Sequence, residues 1–185
     1  MAVTPAQMLD DAYLGARAKL IDPKRAQDYG AGNPAKGGTI YLTAADERGM
    51  MVSFIQSNYM GFGSGVVVPG WGVSLHNRGH GFSLDAASPN VVAPGKRPFH
   101  TIIPAFLTKD GAPQMSFGVM GANMQPQGHV QTLVRMLDHR QSPQAACDAP
   151  RWRVNAGLSI NVEAAMDPAT VEGLAALGHR IDVIQ

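Results

Sequence analysis

The feature that most restricts this chain is its punctuation: of its 185 residues, 21 are glycine and 13 proline, and they concentrate between Gly61 and Gly128. Glycine opens backbone conformations that other residues avoid, and proline removes a donor and fixes φ. That middle section is therefore read as turns, short strands and close backbone approaches, with longer regular elements on either side of it. A hydrophobic fraction of 45% over this length suffices for one globular domain with its own core. Lys and Arg number 15 against 14 Asp and Glu, so no charge excess points to nucleic acid or an anionic membrane. Cys147 is the single cysteine, which rules out an internal disulfide framework and a multi-cysteine zinc site. The first residues lack a basic segment followed by an apolar one, and no apolar run reaches spanning length, so the chain as written is expected in the cytoplasm.

Local patterns predict the elements. Thr4, Pro5 and Gln7 form a capping box with proline at the first helical position, and Met8, Leu9, Tyr13, Ala16 and Leu20 continue a helix to about Ile21. Asp22-Pro23 stops it, and the stretch from Tyr29 to Gly38 reads as a linker. Thr39 to Ala45 and Met50 to Gln56 are β-rich runs around the charged turn Asp46 to Gly49, a hairpin. Further strands are expected at Gly65 to Val68, Val73 to Leu75, Thr101 to Thr108 and Gln114 to Val119, the last two joined through Lys109 to Pro113. The last third reads as helical. Val130, Leu133, Val134 and Leu137 keep helical spacing, Ser142-Pro143 opens a short helix ended by Pro150, and Asp167-Pro168 opens another, with Gly178 as its C-cap. Ile181 to Ile184 could begin one more strand.

Gly38-Thr39 at the start of a hairpin, behind an accessible linker, has the form required of a self-cleaving N-terminal nucleophile. Cutting that bond would give Thr39 a free α-amine to serve as base for its own hydroxyl. The same residues also describe an ordinary turn before a strand. The wider pattern is more specific. Thr39 to Asp46 (TIYLTAAD), Ser57 to Gly65 (SNYMGFGSG), Leu75 to Asn77, Pro94 to Pro98, Gly118 to Gly121 and Asp148 to Arg151 occur in order and at fitting spacing. Through them the chain resembles the γ-glutamyltransferase family of N-terminal-nucleophile hydrolases from Thr39 to about Asp182.

The resemblance implies an α+β fold, the α-β-β-α sandwich of those hydrolases, represented here by a partial, small-subunit-like piece. Residues 1–38 would be the tail of the large subunit, and 39–185 a catalytic domain truncated at its C-terminus. It implies cleavage between Gly38 and Thr39, Thr39 as nucleophile, Ser57 as its hydroxyl partner, and the N–H groups of Gly121 and Ala122 as the oxyanion hole. Alanine at the second oxyanion position keeps the N–H but departs from the family's paired glycines. At the substrate positions Gly81 stands where the family has an acid for the α-ammonium, His100 and Thr101 where it has paired serines, and Tyr59 where it has asparagine. Arg78 replaces a neutral family position and suits a carboxylate-bearing acyl group. The implied function is amide hydrolysis or acyl transfer on γ-glutamyl compounds such as glutathione, through an acyl-enzyme on Thr39. The alternatives are a glutaryl-type amide acylase, a non-catalytic fragment that folds as an oligomer or with a separate large-subunit-like chain, and a ligand-binding domain without chemistry. No metal or cofactor is expected. His76, His80 and His100 are read as surface or hydrogen-bonded side chains, Lys96 and Arg97 as either substrate ligands or turn residues, the methionines as core filler and Cys147 as a small buried side chain.

Overall fold

Alternation of β-branched and polar residues in Thr39–Ala45 and Met51–Ser57 produces the first hairpin, β1 and β2. The protein is described as a computed structural model covering residues 10–19, 21–25 and 39–185. The expected helix appears in part as α1, Asp11–Ala18; the Thr4 cap and the whole linker from Tyr29 to Gly38 lie outside the described residues. Two compact units are present. One holds the described residues from Thr39 to Ala149; the other holds Pro150–Gln185 together with α1.

In the first unit, β1 and β2 pair antiparallel in a register that sets Thr39 opposite Ser57 and Ala45 opposite Met51. The connecting turn is closed by the Asp46 carboxylate, which accepts from the N–H groups of Arg48 at 3.0 Å and Met50 at 2.9 Å. Two-residue strands β3 (Val67–Val68) and β4 (Val73–Ser74) follow, then a 3-10 turn over Arg78–Gly81. The second hairpin joins β5 (Ala105–Lys109) to β6 (Ala112–Phe117). Its turn is tighter than the sequence suggests: Asp110 and Gly111 take φ of +53° and +77°, a two-residue connection with Pro113 already inside the strand. Residues 101–104 are not strand.

The two hairpins meet through polar side chains. Tyr41 Oη and Ser53 Oγ are 3.0 Å apart, Ser53 Oγ donates to the Phe117 carbonyl at 3.5 Å, and Thr43 and Ser116 share a hydroxyl–hydroxyl hydrogen bond. Gly118 is required where β6 ends, because a Cβ there would come within 2.3 Å of the Tyr41 ring.

Helix α2, Met124–Leu137, buries Gln125, Gly128, His129 and Gln131. This reverses the expectation from its apolar spacing: Val130 and Leu137 stay 57% and 55% exposed. Gly128 lets this face pack closely, because a Cβ there would come within 2.7 Å of Val119 Cγ1. Of the apolar stripe only Leu133 is half-buried. Helix α3, Pro143–Asp148, is capped by Ser142, whose Oγ accepts from Ala145 N–H at 3.2 Å. Its buried residue is Ala146, so Cys147 is exposed, contrary to expectation. Met50 and Met120, 70% and 52% exposed, are likewise not core residues.

The second unit corrects the helical reading of the last third. Trp152–Ala156 (β7) and Ser159–Glu163 (β8) form an antiparallel pair, and β9 (Arg180–Ile184) adds parallel to β8. Between β8 and β9 runs α4, Pro168–Ala176, whose N-cap Asp167 accepts from the N–H groups of Ala169 and Thr170. Gly178 follows its end with φ +101°, as a C-terminal glycine should. Central strand β8 carries the unit's core, Ile160 at 3% and Val162 at 0% exposure. Buried Asn161 is satisfied from both sides, accepting from Asn155 and donating to Asp182 Oδ2 at 3.1 Å. Arg151 grips Glu163 through Nε and Nη2 at 2.9 and 2.5 Å. The observed mixture of helices and hairpins is an α+β fold.

Candidate active site

The site grows from the open end of the first hairpin. Antiparallel register puts the first residue of β1, Thr39, directly across from the last residue of β2, Ser57. Both are half-buried and both line a cavity of about 750 Å³, together with Gln56, Asn58, Leu75 and His76.

The loop beside the cavity depends on a glycine. Gly63 has φ +75°, and a Cβ there would sit 2.5 Å from the Leu75 carbonyl, so only glycine lets this loop close on the following strand. Asn77 fixes the same loop by accepting from Met60 N–H at 3.1 Å. Glycines in this run thus act as turn residues, as read.

Beyond Ser57 the chain makes a tight local turn. Ser57 Oγ accepts from Tyr59 N–H at 2.9 Å, and Tyr59 takes φ +77°, a left-handed conformation rare for an aromatic residue. The turn carries the Tyr59 ring under the Arg78 guanidinium, 5.2 Å from ring centroid to Cζ. Arg78 itself is 8% exposed.

A second cavity, of about 510 Å³, shares Gln56, Ser57 and His76 with the first and adds Arg78, Lys96, Arg97 and His100. Lys96 is tied to the turn, its Nζ donating to the carbonyls of Pro89 at 2.6 Å and Val91 at 2.9 Å. The Nδ1 atoms of His76 and His100 accept from the N–H groups of Arg78 and Ile102, both at 3.2 Å. Burial, with the nearby charges of Arg78, His76 and Arg97, holds the His100 imidazole below its usual pKa. Burial also lowers Arg78, opposed by Tyr59, without threatening the charge of a guanidinium at neutral pH.

The remaining predicted positions fall as follows. Gly81 ends the 3-10 turn, and its carbonyl accepts from Asn90 Nδ2 at 2.6 Å. Thr101, next to His100, is 6% exposed. Gly121 and Ala122 lie on the turn into α2 with φ +123° and +52°. Their carbonyls accept from Met124 and Gln125, while no hydrogen bond among the described residues joins either amide to Thr39. Among the described residues no three His, Cys, Asp or Glu side chains cluster as metal ligands, and no helix is long and apolar enough to cross a membrane. What sequence reasoning missed is the placement of Gln56, Asn58 and His76 in the cavity wall. The register of β1 and β2, which sets Gln56 opposite Ile40, is the signal that locates the first.

Comparison with known proteins shows the family to which this hairpin and cavity belong. The chain matches the gamma-glutamyltranspeptidase family over residues 1–185 and belongs to it. It is 36% identical over 183 residues to the oxamate amidohydrolase proenzyme of Klebsiella pneumoniae, covering 96% of this chain and 34% of that protein. It is 38% identical over 156 residues to the glutathione hydrolase-like YwrD proenzyme of Bacillus subtilis, covering 82% of this chain and 30% of the other. A solved structure of cephalosporin acylase from Bacillus halodurans superposes with a TM-score of 0.86 at 49% identity, over all of this chain and 34% of that one. The chain thus spans about a third of the length of the curated relatives it matches.

Proposed function

We propose that this chain carries the nucleophile of an amide hydrolase or acyltransferase, and that Thr39 is that nucleophile. The observation that carries the reading is the pairing of Thr39 with Ser57 at the mouth of a cavity. A hydroxyl at a strand end, facing a second hydroxyl and open space, is positioned for attack on a bound carbonyl.

Cleavage of the Gly38–Thr39 bond frees the Thr39 α-amine. That amine takes the hydroxyl proton as Oγ1 bonds to the substrate's carbonyl carbon, giving a tetrahedral oxyanion. The N–H groups of Gly121 and Ala122 are the proposed donors to it. Collapse expels the leaving amine, which takes the proton back, and leaves an ester on Thr39. Water or a second amine then releases the acyl group and restores the hydroxyl. Ser57, braced by Tyr59 N–H, positions the nucleophile. The acyl groups in view are γ-glutamyl, as in glutathione, and glutaryl-type dicarboxylic groups, and both carry a carboxylate. The sandwich architecture and a large-subunit-like partner chain belong to this same reading.

The test is acid quenching during the first seconds of reaction with a chromogenic acyl anilide, followed by peptide mapping. The reading expects the acyl mass on the peptide that begins at Thr39, and none in Thr39→Ala protein. An acyl group on another residue, or turnover that survives Thr39→Ala, overturns it.

A further inference from the structure

Gly118 and Gly128 are glycines for a reason other than backbone conformation. Neither takes a positive φ; what each lacks is room for a side chain. A Cβ on Gly118 would come within 2.6 Å of Tyr41 Cε2 and 2.7 Å of its Cγ, so the ring lies across the Gly118 backbone. A Cβ on Gly128 would come within 2.7 Å of Val119 Cγ1. Residues 118 and 119 are thus clamped, one against the first hairpin and the other against α2, and close packing resists a shift toward either. Gly121 and Ala122 follow directly, on the turn into α2.

On the hairpin side the clamp is fixed to the strand that begins with Thr39. Side chains two apart on a strand share a face, so Tyr41 lies on the face of Thr39, about 7 Å along β1. Tyr41 Oη and Ser53 Oγ are 3.0 Å apart, and Ser53, on β2, donates to the Phe117 carbonyl at 3.5 Å. Phe117 is the last residue of β6 and immediately precedes Gly118. The ring is therefore held at its edge through Ser53 and at its face by Gly118. One side chain spans the gap between the strand that bears Thr39 and the segment that leads to Gly121 and Ala122.

We infer that Tyr41 is a positioning residue: seated on Gly118 and tied through Ser53, it sets the spacing between Thr39 and the amides of Gly121 and Ala122. This rests on the reading of Thr39 as nucleophile and of those amides as oxyanion donors, and it adds the side chain that keeps the two apart by a fixed distance. Tyr41 acts through the segments it spaces and not on the substrate. A tetrahedral oxyanion formed on Thr39 reaches its donors only when that spacing holds, and a displacement of about 1 Å costs on the order of a hundredfold in rate.

The test is the rate constant for acylation of Thr39 in the 185-residue chain, followed by acid quenching at saturating chromogenic acyl anilide. Unlike the amount of acyl-enzyme, this constant does not depend on how much of the protein is folded. Gly118→Ala pushes a methyl group into the ring and is expected to lower the constant about a hundredfold. Tyr41→Phe keeps the ring, removes the hydroxyl and should lower it about tenfold, and in both variants the half-saturating anilide concentration should stay within about threefold of the parent's. Once Tyr41→Ala has removed the ring, adding Gly118→Ala should cost less than about threefold more. Thr43→Val deletes a different hydrogen bond between the hairpins, that to Ser116; it should lower Tm and leave the rate constant within about twofold. The inference is overturned by an unchanged rate constant in Gly118→Ala or Tyr41→Phe, by effects of Tyr41→Ala and Gly118→Ala that simply multiply, or by a loss in Thr43→Val as large as that in Tyr41→Phe. Where Gly118→Ala does not fold, the comparison of Tyr41→Phe with Thr43→Val decides. The two readings fail distinguishably: Thr39 acylated at the parent's rate in these variants sinks the positioning role alone, whereas no acyl group on Thr39 in the parent sinks the nucleophile reading and the positioning role with it.

Discussion

Two non-glycine residues near the proposed chemistry occupy the left-handed region, Tyr59 at φ +77° and Ala122 at φ +52°. An L-residue there gives up roughly 1–2 kcal/mol relative to its right-handed form, part of which a glycine would return to the more flexible unfolded chain. Ala122→Gly is therefore expected to stabilise the protein by about 0.5–1 kcal/mol, a rise of roughly 1–4 °C in Tm. Differential scanning calorimetry checks it, and a drop in Tm contradicts the assigned backbone. The alanine was legible in the sequence as a departure from a glycine pair; its left-handed geometry follows the same pattern. Tyr59 was legible only as a missing asparagine. Nothing in the residue type announces a left-handed tyrosine, because the cause is the hydrogen bond its N–H gives to Ser57 Oγ.

At the scale of elements, the hairpins were readable because alternation and turn chemistry are local. Helix α2 was found, but its orientation was not. Spacing identified Val130, Leu133, Val134 and Leu137 as one stripe, yet the helix turns Gln125 and His129 inward, with Gly128 packed against Val119. β7 and β8 pair locally across a two-residue connection, but each is only five residues long, and β8 becomes a central strand only through β9, its parallel partner from twenty-one residues on. His129 gives a pH prediction. It packs on Phe117 with ring centroids 4.9 Å apart, and burial lowers its pKa. The unfolded chain then binds the proton more readily, so the His129 contribution is complete above the usual imidazole value of about 6.5 and is lost as pH falls below it. Tm should drop between about pH 7.5 and about pH 5, and His129→Gln should narrow that drop. An unchanged difference would show that His129 does not titrate in this way.

Across the described residues of the molecule, the buried apolar core is small and the exposed apolar surface large. On the first hairpin Ile40, Leu42, Val52 and Phe54 share one face and are 60%, 48%, 49% and 45% exposed; Phe62 and Trp71 reach 90% and 81%. Contiguous apolar surface of this kind is ordinarily covered by another polypeptide. Alone in solution, the chain is expected to self-associate and to bind a hydrophobic dye. Sedimentation as a monomer without dye binding would mean that these faces are stable in water. The hairpin that presents this face also carries Thr39 at its end, so the proposed chemistry and the expected self-association would fall on one element. The most direct test of that chemistry is the intact mass of the purified protein after prolonged incubation, measured beside Thr39→Ala. The account predicts two fragments that meet between Gly38 and Thr39 in the parent protein and one uncut chain in the variant; an uncut parent chain would contradict it.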